Sequence, residues 1–155
     1  MFQRNLHSQR FMPYYRRAFL LDDDPAALFL LEDALREAQI GHQIFCLTHF
    51  EHLLLAFERL AEENGEEDLP DLLLLDLNMP GYDGLEVLDQ LRKIPGIGGS
   101  KVCVFILSVS FHPLIEEKIK QYPVSGYLTK PLHEDALRKL IKSAKRDECE
   151  LKEIG

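Results

Sequence analysis

The sequence predicts an α/β fold built on a parallel sheet with helices on both faces. Three observations point there. Leucines at 72, 73, 74 and 75 form an apolar run too short for a membrane and without helical spacing, as in a strand buried on both faces. Similar short runs recur at 18–21 and 102–107, and between them lie segments with apolar residues at helical spacing. Such alternation leads to a parallel sheet, because each crossover must return to the same edge and does so right-handedly through a helix.

The bulk properties narrow the class. At 155 residues, with 46% hydrophobic and 28% charged side chains, the chain has the composition of one soluble globular domain. No apolar run is long enough to span a bilayer, and the first ten residues lack a signal-peptide core. A cytoplasmic protein is expected, without membrane contact. Net charge is −8, unevenly spread: residues 1–17 hold four arginines and no acid, leaving 14 basic against 26 acidic side chains from residue 18 onward. So acidic a body repels phosphates, so nucleic acid is not an expected partner. Cys46, Cys103 and Cys149 have neither metal-ligand nor disulfide-framework spacing, and Cys46 and Cys103 are expected to be buried thiols.

Residues 1–16 read as a basic leader, either mobile or an arm that docks on the acidic body or on a partner; the domain is expected over 17–147. The first strand, 18–21, runs into Asp22, Asp23 and Asp24. Asp24 is placed to cap a helix over 25–38 that opens on Pro25, with Leu28, Leu31, Leu35 and Ala38 inward. Gly41 reads as its terminator. A second strand covers 43–47, and Thr48 is expected to cap a helix over 49–64 with Leu53, Ala56, Phe57 and Leu60 inward. His49 and His52 are three apart on it, but nothing nearby in sequence completes a metal site, so they read as surface histidines. Residues 62–68 form an acidic loop.

The third strand, 71–76, ends on Asp76, and Pro80-Gly81 turns the chain away. A helix follows over 85–93 with Leu85, Leu88 and Leu91 inward, then a loop from Pro95 through Ser100. The fourth strand, 102–107, leads into Ser108-Val109-Ser110, and a helix is expected at 113–121. Residues 124–128 form a shorter, mixed strand suited to a sheet edge, ending in Thr129-Lys130-Pro131. The last helix covers 133–147 with Leu137, Leu140, Ile141 and Ala144 on one face, and 148–155 is expected to be a charged, frayed tail.

Chemistry in open α/β sheets collects at the carboxyl ends of the strands. Here those ends bring Asp22 and Asp23, Asp76, Ser108 and Lys130 to one rim. Each has a bland explanation alone: the aspartates as cap and turn residues, Ser108 as a local cap, Lys130 as a solvated strand end. Together they form a functional set. Carboxylates crowded together raise one another's pKa, and a hard divalent cation such as Mg²⁺ relieves that. The Asn78 carbonyl can add an oxygen. Metal, ammonium and hydroxyl suit a phosphoryl group in transfer, and Asp76, on its own strand, is the best nucleophile.

Four motifs carry a family resemblance: Leu-Leu-Asp22-Asp23-Asp24-Pro25, Leu-Leu-Asp76-Leu-Asn78-Met79-Pro80-Gly81-Tyr82-Asp83-Gly84, Ile106-Leu107-Ser108, and Gly126-Tyr127-Leu128-Thr129-Lys130-Pro131. Over about residues 17–145 the chain resembles the receiver domain of two-component response regulators, of the single-domain chemotaxis-regulator kind. The resemblance implies a flavodoxin-like (βα)5 fold with strand order 2-1-3-4-5. It implies Asp76 as phospho-acceptor and Mg²⁺ as cofactor (with Mn²⁺ able to substitute), held by Asp22, Asp23, Asp76 and the backbone carbonyl of Asn78. Ser108 and Lys130 would contact the phosphoryl group, Ser108 and Tyr127 would form the switch, and Asn78 and Ser110 would tune dephosphorylation. The Lys130–Pro131 bond would be cis. Val109 departs from the alanine frequent in the family and narrows access to the site.

The implied protein is not a conventional enzyme. It accepts a phosphoryl group from a sensor histidine kinase or histidine phosphotransfer protein. With little chain left beyond the receiver, it is expected to stand alone and signal to a downstream protein by contact or onward relay, as a monomer or as a homodimer through the face of helix 4, strand 5 and helix 5. The alternative is a phosphorylation-independent adaptor. A phosphatase of the haloacid-dehalogenase type wants a second aspartate two residues after the nucleophile, where this chain has Asn78.

Overall fold

Strands and helices alternate through the chain as β1 (Tyr15–Leu21), α1 (Pro25–Glu37), β2 (Gly41–Leu47), α2 (Phe50–Asn64), β3 (Leu72–Asp76), α3 (Gly84–Arg92), β4 (Cys103–Ser108), α4 (Pro113–Ile119), β5 (Gly126–Thr129) and α5 (Glu134–Ile154). The structure, a computed structural model, describes residues 14–64, 69–79, 84–93, 102–109, 112–122 and 124–154. All strand pairs are parallel, in the order β2-β1-β3-β4-β5. This is the flavodoxin-like (βα)5 arrangement expected, with order 2-1-3-4-5.

The strand period of two divides the apolar residues between two cores. Phe19, Leu21, Leu73, Leu75, Val104 and Ile106 face α2, α3 and Ile119 of α4, while Ala18, Leu20, Leu72, Leu74, Phe105 and Leu107 face α1 and α5. Every residue of β3 and of β4 is buried. These two strands carry the long apolar runs because neither face of the sheet centre meets water.

α1 begins as its sequence dictates. Asp24 is the N-cap and accepts from the Ala26 N–H at 3.0 Å, with Pro25 in the first turn. Its end differs from expectation. Gly41 does not terminate the helix but opens β2. The left-handed residue is Gln39, at φ 55°. The Ile40 N–H reaches Leu35 O at 2.9 Å and the Gln39 N–H reaches Arg36 O at 3.1 Å, while Leu35 and Ile40 are fully buried. That paired turn and its apolar contact offset the cost of a non-glycine residue at positive φ.

Other boundaries also move. β1 starts at Tyr15, inside the segment assigned to the leader. Tyr15 is buried, and its hydroxyl donates to Leu140 O of α5 at 2.8 Å. The periodicity of the apolar run alone missed this because two arginines follow Tyr15. Cys46 is exposed, against expectation, whereas Cys103 is buried. β2 is an edge strand and leaves Phe45 and Cys46 in solvent, and an apolar run does not by itself distinguish edge from centre. Thr48 lies outside α2: the first turn closes on His49 O, and the Thr48 hydroxyl sits 2.9 Å from His49 Nδ1. α4 is shorter than expected, β5 starts two residues later, and residues 148–154, expected to fray, continue α5. The Pro80-Gly81 turn, the loops at 65–68 and 96–100, and the side chains of Leu85 and Cys149 lie outside the described residues. No described helix is long and apolar enough to cross a membrane.

One anchor had no signal in the sequence. Asp71, just before β3, accepts the N–H groups of Arg16 and Arg17 at 2.7 Å each. Its own N–H donates to Arg17 O at 3.1 Å and its C=O accepts from Cys103 N–H at 2.9 Å. One residue thus ties β1, β3 and β4 at the base of the sheet. Asp71→Ala is expected to lower unfolding free energy by about 1–2 kcal/mol, since charge-assisted bonds to backbone are lost. Urea unfolding followed by circular dichroism measures it, and an unchanged midpoint would contradict the role.

An acidic rim at the carboxyl ends of the strands

β3 delivers Asp76 at its last residue, and β1 delivers Asp22 one residue past its end. Both are nearly inaccessible, at 4% and 2% exposed, which is unusual for ionisable groups without a function. Asp23 follows in solvent. The ligand oxygens of Asp22, Asp23 and Asp76 all lie within 4.8 Å of one another. Asp22 is held in place by its own turn: its N–H donates to Leu47 O at 3.1 Å, and its Oδ1 accepts from the Asp24 N–H at 3.0 Å.

Lys130, the residue after β5, crosses into this rim. Its ammonium donates to Asp22 Oδ2 at 2.5 Å and lies 3.3 Å from Asp76 Oδ2. Its position is fixed by backbone, since the Lys130 N–H donates to Ser108 O at 2.8 Å. The next peptide bond, Lys130–Pro131, is cis. Ser108, the last residue of β4, is buried. Asn78 donates twice, from its N–H to Asp76 Oδ1 and from its side-chain amide to Ser108 Oγ, each at 3.2 Å. The second bond has no signal in the sequence, where Asn78 is expected to act through its carbonyl and beside the path of the hydrolytic water.

Burial is the largest influence on Asp76 and raises its pKa; the Asn78 N–H pulls the other way, the Asp22 charge adds to the rise, and Lys130 opposes it. Burial by itself would lower the Lys130 pKa, but its hydrogen bond to Asp22 and the charges of Asp76 and Asp22 outweigh it, and the pKa is raised. The ammonium therefore stays charged at neutral pH. Three carboxylates against one ammonium leave the rim with surplus negative charge, and all of its clustered donors are oxygens. That donor set fits a divalent cation of the Mg²⁺ type, and Asp22, Asp23 and Asp76 can hold it.

Two expected site residues stand elsewhere. Tyr127 is half-buried and packs against the core on the α2, α3 and α4 side of the sheet; it pairs in register with Ile106, two residues below Ser108. Ser110 lies outside the described residues. Gly126, absent from the expected set, lies close to a ring: a Cβ there would stand 3.1 Å from Phe105 Cε1, so a side chain needs the ring to give by a few tenths of an ångström. Val109 is largely solvent-exposed. His49 and His52 are exposed, with ring centroids 4.9 Å apart.

Fold and rim together, with the clustered carboxylates of Asp22, Asp23 and Asp76 at the strand ends, are those of a phospho-accepting signalling module. The response regulator receiver domain model matches residues 18–142, and the chain belongs to that family, the receivers of two-component signalling. It is similar to response regulator Rcp1 of Synechocystis, at 30% identity over 79% of this chain and 81% of that protein. It is 32% identical to the sensory/regulatory protein RpfC of Xanthomonas campestris over 75% of this chain, and 37% identical to the nitrate/nitrite response regulator NarL of Escherichia coli over 58%. The matches span only 15% of RpfC and 43% of NarL. Among solved structures, a two-component response regulator from Cytophaga hutchinsonii superposes with a TM-score of 0.76 at 26% identity, covering 85% of this chain and 98% of that one.

Proposed function

We propose that this receiver takes a phosphoryl group on Asp76 from the phosphohistidine of a sensor histidine kinase or phosphotransfer protein. The observation that carries this is the convergence of Asp22, Asp23, Asp76 and Lys130 at one rim, with Asp76 alone on the central strand. One Asp76 oxygen attacks phosphorus, a P–O bond forms, and the P–N bond to the donor imidazole breaks with its electron pair returning to the ring. Asp22, Asp23, Asp76 and the Asn78 carbonyl would hold Mg²⁺, or Mn²⁺ in its place, which when bound would supply positive charge for the phosphoryl oxygens. Lys130 is already within 3.3 Å of Asp76 and pairs with the transferred group, and the Ser108 hydroxyl donates to it.

Phosphorylation adds about two negative charges next to Ser108. Ser108 shifts toward them, and Tyr127 repacks against α4, which alters the face of α4, β5 and α5. That face contacts a downstream protein or a second copy of the chain. Asn78 and Ser110 set the rate at which water resets the aspartyl phosphate. The site faces a cytoplasmic donor. Intact-mass measurement after incubation with acetyl phosphate and Mg²⁺ is expected to show one added phosphoryl group, labile to hydroxylamine and absent when the cation is chelated. An unmodified mass with Mg²⁺ present would leave the adaptor reading in its place.

A further inference from the structure

The two edges of the sheet are built differently. β5 has four residues and runs directly into Lys130-Pro131, a charge and a proline that close it to further strands. β2 has seven residues, Gly41-His42-Gln43-Ile44-Phe45-Cys46-Leu47, with no lysine, arginine, acid or proline among them. Phe45 is 45% exposed and Cys46 lies in solvent. β2 holds one register against β1 from Arg17↔Gln43 to Leu21↔Leu47. The Asp22 N–H donates to Leu47 O, so Leu47 and Phe45 turn their backbone groups toward β1. By alternation Ile44 and Cys46 turn theirs outward, where a further strand can pair with them.

Charge above the edge identifies the occupant as a second copy of the chain. Glu32 and Arg36 of α1 both act on the Cys46 thiol, Glu32 through a side-chain hydrogen bond, so this flank of α1 overhangs β2. The two residues pair with each other at 2.9 Å. Phe29, one turn before Glu32 on the same flank, is 68% exposed. α1 descends as β2 rises. Glu32 stands level with Cys46, and Arg36, about 6 Å further along the helix, stands level with Ile44 two strand positions below. A two-fold axis through Phe45 passes midway between them. It sets Glu32 of each copy opposite Arg36 of the other, so the interface is complementary in charge twice over. The two α1 helices then lie two strand spacings apart, about 10 Å, which is helix-packing distance.

We propose that residues 43–47 of β2 pair antiparallel with the same residues of a second copy, joining two five-stranded sheets into one. Ile44 of each copy faces Cys46 of the other and exchanges both N–H···O bonds with it. Phe45 faces Phe45 on the axis as a non-hydrogen-bonded pair, the closer of the two cross-strand spacings and one that favours aromatic contact. Antiparallel pairing points the two acidic rims in opposite directions and leaves each Asp76 open. The α4, β5 and α5 faces stand at the two ends of the joined sheet. The interface stands on the edge strand and the Glu32–Arg36 flank, and is independent of whether Asp76 is phosphorylated.

Sedimentation velocity of the full chain, without any phosphodonor, is expected to show a dimer that dissociates on dilution. In this register the two Cys46 Cα atoms are about 9 Å apart, so a short bis-maleimide is expected to link two chains and Cys46→Ser to abolish the link. Phe45→Lys sets two ammonium groups on the axis and is expected to leave a monomer. Phe45 also contacts the Phe19 ring, so Glu32→Arg, on the helix surface, serves as the second variant. It opposes arginine to arginine and is expected to weaken the dimer about tenfold, and adding Arg36→Glu is expected to restore it. A monomer at every concentration would overturn the proposal. So would a dimer that survives both Phe45→Lys and Glu32→Arg, which places the interface elsewhere, or association only after acetyl phosphate and Mg²⁺, which assigns it to the face of α4, β5 and α5.

Discussion

Asp76→Asn is expected to abolish phosphoryl incorporation while making the cation-free protein more stable at neutral pH. The first effect follows because an amide is a poor nucleophile, and Asp22, the other carboxylate that meets Lys130, is already engaged by that ammonium and by the Asp24 N–H. The second follows from the cost of the buried charge. Burial and the neighbouring Asp22 raise the Asp76 pKa in the folded state. For an acid, a raised folded-state pKa means that the native state holds its proton more tightly than the unfolded chain does. Its stability is intact below the ordinary carboxylate pKa of about 4 and is lost as pH rises through the folded value, so the cost is in force at pH 7. Asparagine keeps the shape and removes the charge. The expected gain is about 1 kcal/mol, or ~2–4 °C in Tm. Mg²⁺ at ten times its Kd should stabilise the parent by about 1.4 kcal/mol and the variant much less. Thermal melts with and without Mg²⁺, run beside the mass assay, read all three outcomes. Undiminished labelling of the variant would remove Asp76 from its role.

Leu74→Ala is expected to be the most damaging conservative change in the sheet. Leu74 is fully buried and sits in register between Leu20 of β1 and Phe105 of β4, in the core beneath α1 and α5. Removing its isobutyl group leaves a cavity that three flanking layers cannot close without moving the strands that hold Asp22 and Asp76. A loss of about 3 kcal/mol is expected. In a chain of this size that lowers Tm by roughly 6–12 °C. Calorimetry measures it. A loss below about 1 kcal/mol would mean that the site collapses easily, contrary to the dense packing of a core strand.

The central strands and the rim were legible because their signals are local. Four leucines followed by an aspartate specify a doubly buried strand and what stands at its tip. Asp24-Pro25 specifies a helix start from two adjacent residues. The edges were less legible. Cys46 lies in an apolar run like that of a central strand, and only the strand order shows that β2 has one neighbour and leaves it in solvent. Gln39 takes the left-handed turn that Gly41 was expected to make, because Ile40 docking beside Leu35 offsets the backbone cost. That trade depends on a core the local sequence does not display.

The site divides the same way. Which groups could do chemistry was readable from the residues alone: Asp22, Asp23, Asp76, Ser108 and Lys130 stand at or just past strand ends, and parallel topology sends all those ends to one side. Tertiary structure alone decided how they are poised. It placed the Lys130 ammonium between Asp22 and Asp76, joined Asn78 to both Asp76 and Ser108, and packed Tyr127 against the core on the α2, α3 and α4 side of the sheet. It also revealed Asp71 as the clamp that sets β1 against β3. The physical reason is range. Burial patterns and caps are written over a few residues, whereas Lys130 and Asp22 lie 108 residues apart and meet only when the sheet closes between them.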